Sequence, residues 1–168
     1  MKDLKQFIKT TIREFLNESE TYTRNGYKYT KIFTDGNFDY DLVQRMDNKT
    51  FGVEVYYNRK LIGSINIGIL DKEWLDDYSD DEYYQLIKEN PFIHNVTVID
   101  EFQNKGVATK LYELLFTYLK KDGYKIVYSG DTRNSSFVNN LWEKFGDGFE
   151  TIKDNTFGGE KKIYYKNL

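Results

Sequence analysis

The stretch Val98-Ile99-Asp100-Glu101-Phe102-Gln103-Asn104-Lys105-Gly106-Val107-Ala108-Thr109 decides the reading of this chain. Ahead of it, the run Phe92–Val98 follows the only proline, Pro91, and its apolar and β-branched residues predict a strand. Behind it, Ala108, Leu111, Tyr112, Leu115 and Leu119 recur at three- and four-residue intervals and predict a helix over 105–122. Lys120 and Lys121 fall in its last turn, where cations are favoured, and Gly123 caps it. A strand passing into a helix through small residues leaves several N–H groups of the first turn without intrahelical partners. With the positive end of the helix dipole they form an anion site, and a pyrophosphate suits it. A turn whose small residues serve only packing has the same spacing. Ala108 is the only alanine in the chain, so a small residue here is not a product of composition.

Upstream, the runs Tyr27–Thr34, Tyr40–Met46, Phe51–Tyr57 and Leu61–Leu70 are strand-like. Asp35-Gly36-Asn37, Asp47-Asn48-Lys49 and Asn58-Arg59 separate them with turn chemistry, which predicts an antiparallel meander. Residues 71–90 are acidic and predict a short helix with loops. Downstream come a strand at Lys125–Ser129 and a helix at Ser135–Phe145, with Val138, Leu141, Trp142 and Phe145 on one face. Two closing strands near Phe149–Lys153 and Lys161–Tyr165 flank a turn at Gly158-Gly159. At the start, Leu4, Phe7, Ile8, Ile12, Phe15 and Leu16 give one apolar stripe. The expected organisation is an N-terminal amphipathic helix at 1–18, a linker at 19–26 and one domain at 27–168. Its fold class is α/β (α+β): a mixed, mostly antiparallel central sheet flanked by helices.

Composition narrows the function. The 24 basic and 27 acidic residues leave a net charge of −3, which argues against general nucleic-acid binding, since that needs a basic surface. There is no cysteine, so disulfides, thiolate nucleophiles and cysteine-based metal sites are excluded. The carboxylates show no calcium-loop spacing, and no metal site is expected. No apolar run approaches the roughly 20 residues that span a bilayer, and Asp3, Glu14 and Glu18 interrupt the N-terminal stripe. A cytoplasmic protein without membrane attachment is expected, as a monomer or dimer.

Gln103-x-x-Gly106-x-Ala108 after a strand ending in Val98 resembles the pyrophosphate-loop signature of the GCN5-related N-acetyltransferases, Gln/Arg-x-x-Gly-x-Gly/Ala. The resemblance runs from about Phe51 to the C-terminus. It implies an N-acetyltransferase using acetyl-CoA. The backbone of Thr97 and Val98 would pair with the pantetheine arm. The loop Gln103, Asn104, Lys105, Gly106, Val107, Ala108 and Thr109 would hold the pyrophosphate, with the Thr109 hydroxyl as a further donor. A backbone N–H near Val98 would meet the oxyanion. Similar sequences often carry a glutamate four residues before the strand-ending valine; here that position is His94, the only histidine. An imidazole is a sensible base, and a half-buried strand histidine with a satisfied hydrogen bond is the alternative. The family commonly places an acidic tyrosine four residues before the glycine ending the last helix. Here that residue is Trp142, which donates an N–H but releases no proton usefully. Tyr128 or Tyr112 is then the candidate acid, or water. Asn134 stands one residue off the family's usual asparagine register.

The acceptor implied is a cationic primary amine, a protein lysine or a polyamine. The run Asp71–Glu82 concentrates acidic residues, with Asp76, Asp77, Asp80 and Asp81 as candidate substrate contacts; a solvated acidic face is the bland alternative. Leu16-Asn17-Glu18 resembles the processed leaders of proteins from large tailed phages, which would make the acceptor a host protein. The alternative in another class is an inactive descendant that binds a partner through its acidic and aromatic surface.

Overall fold

The computed structural model describes residues 21–45, 50–70, 81–130, 136–153 and 159–168. Nine strands form one sheet: β1 Thr21–Arg24, β2 Tyr27–Asp35, β3 Phe38–Arg45, β4 Thr50–Tyr57, β5 Lys60–Gly68, β6 Phe92–Val98, β7 Ile126–Ser129, β8 Gly148–Lys153 and β9 Glu160–Asn167. Their spatial order is β1-β2-β3-β4-β5-β6-β7-β9-β8. Every neighbouring pair is antiparallel except β6 and β7. The expected meander is therefore present, and it continues into β6.

The expected linker at 19–26 is corrected by β1. Thr21–Arg24 pairs with β2 from Thr21↔Thr30 to Arg24↔Tyr27. The turn between them is Asn25-Gly26, with φ of 51° and 78°. An Asn-Gly pair with both residues left-handed matches the twist of a two-residue hairpin. The alternating Thr-Tyr-Thr-Arg run beside it is a polar strand that its composition disguises. The amphipathic stripe at 2–18 lies outside the described residues.

Three helices are described: α1 Glu82–Leu86, α2 Val107–Lys121 and α3 Ser136–Phe145. The predicted stripe of α2 is buried at Val107, Ala108, Leu111, Tyr112, Leu115 and Leu119. It lies on β4, β5 and β6, against Val53, Val55, Ile65 and Ile67, which have no exposed surface. Each such side chain taken from water contributes roughly 1.5–3 kcal/mol. From α3, Leu141 and Trp142 join the same core. A smaller cluster of Ile87, Tyr128, Ile152 and Ile163 lies under α1 on the opposite face. Helices thus flank both faces. Among the described residues, no helix is long and apolar enough to cross a membrane.

Candidate active site

Strand β6 shapes the site. It pairs with β5 along its length, but the register slips between Asn66↔Asn95 and Ile67↔Ile93, leaving His94 as the extra residue of a β-bulge. A bulge bends its strand and ends regular pairing. On the other side, β6 meets β7 at only two positions, Phe92↔Tyr128 and Ile93↔Ser129. Gly130 then passes so close beneath β6 that a Cβ there would stand 2.4 Å from the Ile93 carbonyl oxygen. From His94 onward the two strands part.

The parted edge carries unused backbone groups. Ile99 donates its N–H to the Ile62 carbonyl at 2.9 Å, so residue 99 points toward β5. By the alternation of a strand ladder, Val98 and Val96 turn their backbone groups toward the gap. The Val98 carbonyl accepts the Gln103 side-chain amide at 3.1 Å, and the same nitrogen donates to Asp100 Oδ1 at 2.8 Å. Gln103 thereby ties the loop to the end of β6, a function that the signature residue does not reveal from sequence.

The loop runs from a short 3-10 turn, Asp100–Phe102, to the start of α2. Asn104 and Gly106 are left-handed, with φ of 58° and 80°. Gly106 caps α2 without a side-chain hydrogen bond, and the first intrahelical bond runs from the Lys110 N–H to the Gly106 carbonyl at 3.0 Å. The N–H groups of Val107, Ala108 and Thr109 precede that bond and have no helical acceptor. They border a cavity of about 220 Å³ lined by Val98, Phe102, Gln103, Gly106, Ala108 and Leu141 among others. Bare amides, the positive end of a fifteen-residue helix and a concave wall fit a pyrophosphate. The fold brings Val98, Gln103, Asn104, Gly106, Val107, Ala108 and Thr109 together around this cavity. Lys105 stands on the far side of the loop, its ammonium 5.2 Å from the Phe102 ring centroid.

The proposed acid and base are placed unequally. His94 is exposed on the face opposite α2, its ring 6.4 Å from that of Phe92. Thr97 is exposed on β6, and its hydroxyl lies 3.2 Å from that of Ser64. Tyr128 is 9% exposed within the α1 cluster, and burial, with Glu150 and Tyr165 adding to it, pushes its phenol above the usual tyrosine range. Trp142 is 1% exposed, stacked on Tyr164 and edge-on to Tyr112. It is a core residue in this position, and among the described residues neither its indole N–H nor the Tyr112 hydroxyl has a hydrogen-bond partner. Burial raises the Tyr112 phenol as well. Asp81 is the N-cap of α1, accepting the N–H of Tyr83 at 2.8 Å, so its carboxylate has a structural task. Asp76, Asp77, Asp80 and Asn134 lie outside the described residues.

A mixed sheet parted at its one parallel junction, with a bare helix start beside the opening, is the architecture of an acyl-CoA-dependent acyltransferase. Residues 10–147 match the Acetyltransferase (GNAT) family, and the chain belongs to it. The fold is similar to that of a solved protein from Desulfovibrio desulfuricans assigned to the GNAT family, at 14% identity and a TM-score of 0.53, over 71% of this chain and 69% of that one. It is also similar to a Klebsiella pneumoniae protein assigned as an acyl-CoA N-acyltransferase, at 10% identity and a TM-score of 0.51, over 73% and 74%. Identities this low speak for the fold alone. Among curated proteins, none matches the chain by sequence. Family membership makes the protein an acyltransferase with acetyl-CoA as its donor.

Proposed function

We propose that the chain transfers the acetyl group of acetyl-CoA to a primary amine, the side chain of a lysine on a protein. The observation that carries this reading is the parting of β6 from β7 after two paired positions, beside the free amides of α2. Acetyl-CoA supplies an activated thioester. The amides of Val107, Ala108 and Thr109 hold its pyrophosphate, Gln103 fixes the loop, and Val98 offers its N–H to the developing oxyanion. His94, on the open face at the bulge, takes the proton from the incoming ammonium. Tyr128 keeps its proton at neutral pH, donates it to the departing thiolate and regains one from water.

A protein acceptor is supported by the exposure of His94 and Thr97 beside the parted edge, on the face opposite α2. The resemblance of Leu16-Asn17-Glu18 to phage leaders points the acceptor search toward host-cell proteins. Calorimetric titration with acetyl-CoA tests the donor, with micromolar binding expected. Thiol release in the presence of lysine-rich proteins tests the transfer, and since the chain has no cysteine, a thiol reagent sees only released CoA. Absence of binding at millimolar acetyl-CoA would sink the proposal.

A further inference from the structure

Strand β9 runs past the end of β7 and forms the far wall of the opening. Ile93 pairs with Ser129, and the Tyr164 N–H donates to Ser129 Oγ at 3.0 Å, so Ile93, Ser129 and Tyr164 stand level. Strand β7 ends there, while β9 extends back to Glu160. Because β9 is antiparallel to β7 and β6 is parallel to it, stepping back along β9 follows the direction of β6. Lys161, three residues before Tyr164, therefore stands about 10 Å beyond that level, abreast of Val96 and Thr97 on β6. Where β7 still lies between them, two strand spacings, also about 10 Å, separate β6 from β9.

The side of β9 that Lys161 occupies is the side of His94. Tyr164 faces the α2 core, whereas Ile163 belongs to the α1 cluster, and Lys161 shares the parity of Ile163. Its ammonium lies 4.9 Å from the Tyr83 ring centroid. Tyr83 meets Phe92 edge-on, at 6.4 Å between centroids, and Phe92 meets His94 at the same distance. A row of rings thus leads from Lys161 through α1, across the parted junction, to the candidate base. Helix α1 is also fastened to β8, where Glu82 Oε2 accepts the Lys153 N–H at 2.8 Å. Among the described residues no carboxylate forms an ion pair with Lys161, whereas Lys31, Lys110 and Lys166 each reach one. An ammonium held by a ring rather than a carboxylate, on a flexible four-carbon stem, keeps the freedom to leave it.

Given the acetyltransferase reading on which it rests, we propose that Lys161 is an acceptor within the chain itself, acetylated by the same site. The stem carries Nζ from the Tyr83 ring toward the gap, and an amine fixed in the same molecule needs no encounter. His94 takes one proton from the ammonium. The freed Nζ lone pair attacks the thioester carbonyl. The C–N bond forms, the C–S bond breaks, and the second proton passes to the departing thiolate. The products are a neutral acetamide on Lys161 and free CoA. Loss of the charge ends the attraction to the Tyr83 face, so the modification also loosens α1 from β9 beside the acceptor face.

The test incubates the protein with acetyl-CoA and no added amine, and maps acetyl groups by mass spectrometry of its peptides. Lys162 is the internal control: it follows Lys161 directly but is exposed on the other face, 4.3 Å from the Phe149 ring centroid. Uncatalysed acetylation favours the more exposed Lys162, and the site favours Lys161. Lys161 is expected to be labelled at least about tenfold faster than Lys162, a small part of what fixed orientation supplies. Its first-order rate should not change with protein concentration. Gly106→Val, which displaces the cofactor amides, should abolish the preference for Lys161 and leave the labelling of Lys162 as it was. Label spread over the lysines by exposure, a rate that grows with protein concentration, or a preference that survives Gly106→Val overturns the proposal. Thiol release with a lysine-rich protein is read in parallel. Release while Lys161 stays unlabelled overturns self-acetylation and leaves acetyl transfer standing, and the absence of both label and release overturns the two together.

Discussion

The β4–β5 and β6–β7 junctions belong to one sheet and are built to opposite ends. Strands β4 and β5 pair at eight positions, from Thr50↔Gly68 to Tyr57↔Lys60, with Val53 and Ile65 sealed beneath α2. Strands β6 and β7 pair at two. Where the ladder is complete, the backbone is spent on holding the fold. Where it stops, N–H and C=O groups stay available to a substrate, and the fold is held by the junction's closed end alone.

Five substitutions probe that contrast and its surroundings, the largest effect first. Gly106→Val forces a β-branched residue into a left-handed conformation at the start of α2 and displaces the amides there. Acetyl transfer should fall at least about a hundredfold, the equivalent of losing one or two hydrogen bonds to a charged group. Steady-state kinetics measure this, and circular dichroism should show the sheet intact. His94→Ala comes next: kcat/KM is expected to fall ten- to a hundredfold, roughly the smaller end of general-base contributions, and to change its pH dependence. An unchanged pH–rate profile would remove His94 from the mechanism.

Gly130→Ala and Gly52→Ala compare the two junctions directly. Each adds a methyl against a carbonyl oxygen, 2.4 Å from Ile93 and 2.2 Å from Ile65 respectively. Overpacking of this kind costs about 2–3 kcal/mol, or about 5–10 °C in Tm for a chain of this size. Both should melt earlier in a thermal scan. Only Gly130→Ala should also lower acetyl transfer beyond what its stability explains, because it moves the closed end of the gap. Equal kinetic losses in the two would break the distinction between the junctions.

The smallest effect is expected at Asp41. Burial raises its carboxyl above the usual range, against a smaller lowering from Tyr22 and Lys31. The folded chain therefore holds this proton more tightly than the unfolded one. The stabilisation is complete below the unfolded value and is lost as pH rises through the folded value. Asp41→Asn removes that loss, so its Tm relative to the unaltered chain should rise at neutral pH and not at acid pH. A lower Tm at neutral pH would show that Asp41 already has a compensating partner.

Periodicity made the predicted strands and helices legible because each carries its own apolar pattern. Phe92–Val98 occurs with the expected bounds, and the stripe from Ala108 to Leu119 is the buried face of α2. The turn geometry of the candidate cofactor loop was legible because a left-handed residue and a bare helix start demand small residues at fixed offsets. Strand β1 was hidden because Thr-Tyr-Thr-Arg buries nothing, and its residues are exposed throughout. The bulge at His94 depends on register between strands far apart in sequence, which no local pattern records. Trp142 was legible as a packing residue, since its spacing with Val138, Leu141 and Phe145 puts it on the apolar face of α3 that joins the core.

Trp142 has one more consequence. The chain contains two tryptophans, Trp74 and Trp142. The second is packed among Tyr112, Phe116 and Tyr164, and its neighbour Leu141 borders the loop cavity. With Trp74 replaced by Phe, the emission of a single indole reports on the seam between α2 and α3, so the protein carries a built-in optical gauge of whatever fills the space beside that helix start.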